Sequence, residues 1–291
     1  MSSSDRSDHP ESEVVVMSAR STGAGDASEG LLPSGLTDLL APQAEQDAKA
    51  VEAVLSSFAA FGYQRIKPPL VEFEQTLLAE GPGAALAEQT FRLLDPISRR
   101  MMALRSDMTA QIARIAGTRL ARYPRPLRLA YGGEVMRVVP DVLNPERQLM
   151  QAGAEIIGRD DKQAAAEIIL LGVRALNQAG ILDVTIDLGL PCLAEAVLGD
   201  ELTAMDAAVK DEMFRAISDR DITRLTRLPL KAAPHLAEII DASGAAVDRL
   251  AEVAKILPIA AAEQLLGLID IATSLNGLLP DIAITLDPLD M

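Results

Sequence analysis

RQLMQAGAEII, residues 147–157, decides how the chain is read. Polar and apolar residues there follow a period of two, the repeat of a β-strand. One face carries Gln148, Met150, Ala152, Ala154 and Ile156 and can pack on helices. The other carries Arg147, Leu149, Gln151, Gly153 and Glu155. Glycine has no side chain, so Gln151 and Glu155 are expected to flank a gap. In a mid-sheet strand such a face floors a polar cleft, where a carboxylate and an amide suit an ammonium group and a polar ring. An ordinary solvated sheet face explains the same pattern.

The neighbouring segments supply a setting for that strand. Residues 127–137 form a second strand, joined to the first by a loop with Pro140 and Pro145. Within it, Gly132-Gly133 lacks the spacing of a phosphate loop and is expected to mark a bulge. Arg137 ends the strand, where a planar guanidinium can clamp a phosphate or carboxylate; an exposed strand-end arginine reads equally well. Upstream, 89–95 and 100–105 form a hairpin around Pro96 to Arg99. LRSDMT, 104–109, then turns from strand to helix, with Met108, Ile112 and Ile115 on one helical face. Ser106 or Asp107 is expected to cap that helix, and Asp107 and Thr109 sit at the junction.

Further toward the N-terminus, LLPSGLTDLL at 31–40 is an extended segment with a Pro-Ser-Gly turn. Pro42 opens a helix with Ala44, Ala48, Val51, Val54, Leu55 and Phe58 at helical spacing, and Gly62 ends it. A short strand, Tyr63 to Lys67, stops at Pro68-Pro69. After the key strand, a helix runs from about Asp161 to Asn177 and ends near Gly180. Two later strands, around Val184–Leu188 and Ile282–Leu286, each have one greasy and one polar face. Residues 192–280 between them are helical in pattern. The expected organisation is a disordered tail at 1–30, rich in Ser, Asp, Gly and Glu, a core at 31–191, a helical insertion at 192–280 and a returning, truncated core strand at 281–291. The fold class is α+β, an antiparallel sheet backed by helices.

Composition narrows the function. Hydrophobic residues are 49% and aromatics 3%, with no Trp, so the core must be aliphatic. The net charge of −15 argues against holding a long polyanion such as tRNA. A single cysteine, Cys192, excludes an intrachain disulfide and fits a cytoplasmic protein. No apolar run is long enough for a bilayer. Only His9 and His235 could serve as imidazole ligands, and no His/Cys pair has metal-ligand spacing. No metal or cofactor is expected.

Taken together, LLPSGLTDLL, GYQRIKPPLVE, LRSDMTAQIAR, YGGEVMR and RQLMQAGAEIIG resemble the catalytic core of class II aminoacyl-tRNA synthetases, histidyl-tRNA synthetase in particular. The resemblance covers about residues 31–191, and ITLDP near the end extends it. It implies that Asp107 and Thr109 match positions holding the histidine amino group. Gln151 and Glu155 match histidine-pocket residues, and Arg137 matches the arginine that contacts ATP and the activated carboxylate. It also implies a homodimer, with Tyr63 to Leu70 near the twofold axis.

The departures favour a retired synthetase. The loop VVPDVLNPERQ lacks the Glu-Arg-Pro and Gly-Arg signatures, and LRSDMT is closer to the LRPDMT form of ATP phosphoribosyltransferase regulatory subunits. The sequence stops just after ITLDP, so the third motif and an anticodon-binding domain would lie beyond Met291. That resemblance implies a non-catalytic subunit without catalytic residues of its own. It would work with a short-form catalytic subunit, take part in feedback by histidine, and bind no tRNA. A fragment of histidyl-tRNA synthetase and a stand-alone histidine-binding module are the alternatives.

Overall fold

The computed structural model describes residues 32–79, 84–140, 145–244 and 247–290. The expected tail at 1–30, much of the loop after Pro140 and Met291 lie outside the described residues. Leu36 N–H closes a turn on Pro33 O at 3.0 Å, with Gly35 at φ +77°, a conformation glycine adopts freely. Helix α1 (Gln43–Ala60) follows Pro42 and buries Leu55 and Phe58. Strand β1 (Gln64–Arg65) comes next, then β2 (Val71–Phe73) and a single turn, α2 (Glu74–Leu77).

Strands β3 (Arg92–Leu94) and β4 (Met101–Leu104) form the expected hairpin, and β2 pairs with the other edge of β4. Helix α3 (Thr109–Gly117) leads to β5 (Leu127–Met136) and β6 (Gln148–Ile157). These two pair antiparallel without interruption from Leu127↔Ile157 to Met136↔Gln148, and β1 runs parallel on the free side of β5. Helix α4 (Lys162–Gln178) starts at Asp161, whose carboxylate accepts the Ala164 N–H at 2.8 Å.

The ladder is regular through Gly132 and Gly133, so the bulge expected there does not form. The glycines serve packing instead. A Cβ on Gly132 would stand 3.0 Å from Leu55 of α1, and one on Gly133 would run into the Arg105 guanidinium.

Beyond β7 (Ile186–Leu188), helices α5 (Leu193–Leu198), α6 (Asp200–Thr203), α7 (Ala207–Ser218), α8 (Ile222–Thr226), α9 (Ala233–Ala242), α10 (Val247–Ala254) and α11 (Ile259–Leu278) lead to β8 (Ile284–Leu286). β8 pairs parallel with β7 in a sheet of their own and does not extend the sheet of β1, β5 and β6. Beside β8, Gly244 and Leu286 exchange both backbone hydrogen bonds, at 2.7 and 2.9 Å.

Three apolar clusters hold these layers. On one face of the β5–β6 ladder, Leu55 and Phe58 of α1 and Leu171 and Ala175 of α4 cover Ala130, Ala154 and Ile156. On the other face, Met108, Ile112 and Ala116 lie against Leu129, Tyr131 and Val135. The third cluster joins the helices from α5 onward with β7 and β8, and its buried members are all Leu, Ile, Val, Ala and Met. Burial of such side chains is the main favourable term available to a chain this poor in aromatics.

Candidate functional site

Among the described residues β6 is the edge strand of its sheet, not the mid-sheet strand expected, and its polar face continues that of β5 where both meet the start of α3. Register sets Tyr131 opposite Gly153, Gly133 opposite Gln151 and Leu129 opposite Glu155, so all six share that face. The gap expected at Gly153 is filled. A Cβ there would lie 2.5 Å from the Tyr131 ring and hydroxyl, so the phenol crosses the position where a side chain would stand. Tyr131 is thus a site residue that periodicity alone does not reveal. Its signal in the sequence is that it is the one aromatic of LRLAYGGEVM, next to two glycines.

Tyr131 links the candidate residues. Its hydroxyl donates to Glu155 Oε1 at 3.2 Å and lies 3.3 Å from Thr109 Oγ1. Asp107 Oδ1 accepts the Thr109 N–H at 2.6 Å, and Oδ2 accepts the Gln151 amide at 2.6 Å. The Gln151 carbonyl oxygen in turn accepts the Met108 N–H at 2.9 Å. Asp107, Thr109, Gln151 and Glu155 therefore converge. Asp107 satisfies a first-turn donor of α3, although Met108 holds the residue position before the helix. Ser106, the other expected cap, is buried and pairs with Thr90 at 3.0 Å.

Arg137 stands apart from this network. Its N–H donates to Arg147 O at 2.8 Å and its carbonyl accepts from Arg147 Nε at 3.2 Å. Its own Nε is buried with no hydrogen-bond partner. Arg147, placed by the period on the polar face, instead lies over the Phe91 ring at 4.7 Å and donates to Ser34 O at 3.2 Å, docking the opening segment.

Burial lifts the Glu155 carboxyl above its ordinary 4.5, against hydrogen bonds from Tyr131 and Thr109 that pull it down, and the Asp107 charge adds to the lift. The Tyr131 hydroxyl is pushed up to about 12, chiefly by burial. Two half-buried carboxylates thus lie about Tyr131, and neither forms an ion pair among the described residues. Such a site favours a cation that brings its own hydrogen-bond donors. No group of three or more His, Cys, Asp or Glu able to hold a metal occurs among the described residues. No helix there is long and apolar enough to cross a membrane.

The sequence profile of the Histidyl-tRNA synthetase family matches residues 35–291. ATP phosphoribosyltransferase regulatory subunits from Paramagnetospirillum magneticum and Rhodospirillum centenum are each 43% identical to the chain, over 91% and 90% of it and 69% and 68% of their own lengths. Among solved structures, an ATP phosphoribosyltransferase regulatory subunit/histidyl-tRNA synthetase from Bacillus halodurans C superposes with a TM-score of 0.76 at 22% identity, covering 92% of this chain and 70% of that one. The mixed sheet with helices on both faces is therefore a class II aminoacyl-tRNA synthetase-like core. Within that class, the chain belongs to the ATP phosphoribosyltransferase regulatory subunit family. Its role is regulatory and non-catalytic, in histidine biosynthesis.

Proposed function

We propose that the cleft around Tyr131 receives histidine, and that its occupancy sets the activity of the catalytic ATP phosphoribosyltransferase subunit with which this chain works. One observation carries the reading: Asp107 and Glu155 place two carboxylates in one cleft without a cation to pair them. The α-ammonium of an amino acid supplies that charge, with Thr109 Oγ1 and the Tyr131 hydroxyl alongside as further acceptors. Gln151 positions Asp107 through its amide and suits the polar ring. The buried, unpartnered Nε of Arg137 supports a carboxylate as the second group to be recognised.

Phosphoribosyl transfer belongs to the catalytic partner. The net charge of −15 supports a role without tRNA, and a cytoplasmic place follows from the role. By the resemblance of GYQRIKPPLVE to the first synthetase motif, Tyr63 to Leu70 lie near the twofold axis of a homodimer.

Two measurements test this. Mixed with a short-form catalytic subunit, the chain is expected to co-elute with it and raise phosphoribosyl transfer; independent elution and unchanged activity sink the regulatory role. Titrated calorimetrically with histidine, the chain should bind it, and Asp107→Asn and Glu155→Gln should each weaken binding at least about tenfold, the loss expected for one charge-assisted contact. Binding unchanged in both variants removes the cleft assignment.

A further inference from the structure

Arg105 lies between β4 and α3, two residues before Asp107. It is only 5% exposed, where a charged side chain is normally paired. Its backbone is held on both sides: the N–H donates to Leu70 O at 3.1 Å, and the carbonyl accepts the Met136 N–H at 2.9 Å. The side chain is held as well. Nε donates to Glu134 O at 2.7 Å and Nη1 to Pro68 O at 3.1 Å, both neutral carbonyls. The two carboxylates whose charge reaches it are engaged elsewhere: Glu72 by Gln111 and Arg114, and Glu134 by Gln148 at 3.1 Å. Burial without a paired anion disfavours the charge.

The remaining nitrogen, Nη2, makes no hydrogen bond among the described residues. A missing side chain sets its place. A Cβ on Gly133 would run into Nη2 and stand 3.7 Å from Met108 Sδ. Side chains alternate between the faces of a strand, and Gly133 pairs with Gln151, so Nη2 lies on the face that carries Gln151, Tyr131 and Glu155. Gly132 points the other way, toward Leu55 of α1. Gln151 thus has the Arg105 cation across the ladder and the Asp107 carboxylate on its own amide, at 2.6 Å.

We infer that Arg105 reads the α-carboxylate of the ligand and makes the site specific for a free amino acid over the matching amine. This rests on the reading of the site as a histidine site. An amino acid bears its ammonium and its carboxylate on one carbon, so seating the first beside Asp107 calls for a cation close by. Arg137 stands four residues beyond Gly133, about 13 Å along β5 at about 3.3 Å per residue, and a carboxylate beside Asp107 meets Arg105 first. The bond is charge-assisted, and it gives the buried guanidinium the anion it lacks. With Nε and Nη1 already held, Arg105 loses little rotamer freedom on binding.

Calorimetric titration of the full chain tests this with histidine, with histamine, which lacks the carboxylate, and with imidazolepropionate, which lacks the ammonium. The wild type is expected to bind histidine about tenfold or more tighter than histamine, the worth of one charge-assisted contact. Arg105→Gln should weaken histidine and imidazolepropionate about tenfold or more and leave histamine within about twofold. Asp107→Asn should do the reverse, weakening histidine and histamine and sparing imidazolepropionate. An arginine that only props the backbone, through Pro68 O and Glu134 O, would on removal weaken all three ligands alike, and that result overturns the inference. So does a wild type that binds histidine and histamine equally. Should Arg105→Gln fail to fold, Arg105→Lys, which keeps the charge and loses the planar fork, is read by the same rule: loss confined to the two carboxylates supports the inference, and uniform loss or none overturns it. A wild type that binds no histidine removes the histidine reading and this inference with it. Histidine binding that Asp107→Asn weakens and Arg105→Gln does not leaves that reading intact and overturns this one.

Discussion

Tyr131 and Gly153 face each other across the β5–β6 ladder, and the phenol fills the space the glycine leaves. Gly153→Ala must therefore push the ring aside and break its bond to Glu155. We expect a loss of about 1–3 kcal/mol, the usual cost of overpacking a tight site, read as a lower urea midpoint, together with weaker histidine binding. Wild-type values for both quantities would contradict this packing. Glu155 yields a second prediction, with a definite sign. Its folded carboxyl sits above the ordinary 4.5 because it is buried, so the folded chain holds that proton more tightly than the unfolded chain. As pH rises through the ordinary carboxylate range the unfolded chain ionises first, and this stabilising contribution is lost as pH passes the folded value. Glu155→Gln, which keeps an acceptor for Tyr131, removes that dependence. Thermal melts from about pH 4 to 7 should show the variant gaining on the wild type as pH rises; a difference constant with pH would place Glu155 in water. A period of two was enough to put Gln151 and Glu155 on one side. It could not show Tyr131 between them, because the period assigns faces within a strand and not how far a neighbour's ring reaches.

Helix α4 is the element that joins the two halves. Its Ile168, Leu171 and Ala175 pack toward α1 and the β5–β6 sheet, while Ala166, Ile169, Leu170 and Val173 pack toward the helices after β7. Both faces are apolar, so the helix is enclosed from both sides. Lys162 adds an ion pair to Asp270 of α11 at its start. Leu171 is 1% exposed, and Leu171→Ala should cost about 2–5 kcal/mol, as buried leucine truncations do. Hydrogen exchange should show the loss in β5 and β6 as well as in α4; loss confined to α4 would mean the helix is not a shared support. The helices, the β3–β4 hairpin and the β5–β6 pair were legible because turn residues and hydrophobic periods agree there. The partner of β8 was not. Its alternation predicts one greasy face, which Ile284 and Leu286 provide, but a three-residue strand paired with β7 across the whole helical segment leaves no local mark of its neighbour. Gly132-Gly133 misled for a related reason. A glycine kept for a close approach by α1 or by Arg105 looks, within its own strand, like one kept for a bulge.

For the molecule as a whole, regulation is a question of linkage. The site is built by α3 and the β5–β6 pair, and Gln111 of α3 donates to Pro69 O at 2.8 Å and to Glu72 at 2.8 Å; Glu72 also accepts from Arg114 at 2.9 Å. Histidine seated between Asp107 and Glu155 would bear on the start of α3, and that helix is tied to the segment placed near the twofold axis. Histidine can alter the partner's activity only if it binds the active and inhibited states of the complex differently, and it can alter assembly only if it binds the assembly and the isolated chain with different free energies. Reciprocity then fixes the measurement: the factor by which the catalytic subunit changes histidine affinity equals the factor by which histidine changes affinity for the catalytic subunit. Couplings of this kind typically amount to about 5–150-fold. Histidine titrations of the chain alone and of the reconstituted complex should differ within that range, and subunit dissociation measured with and without histidine should return the same factor. Equal histidine affinities for the chain alone and the complex would leave the site without consequence for assembly, since a ligand that binds both states equally shifts neither.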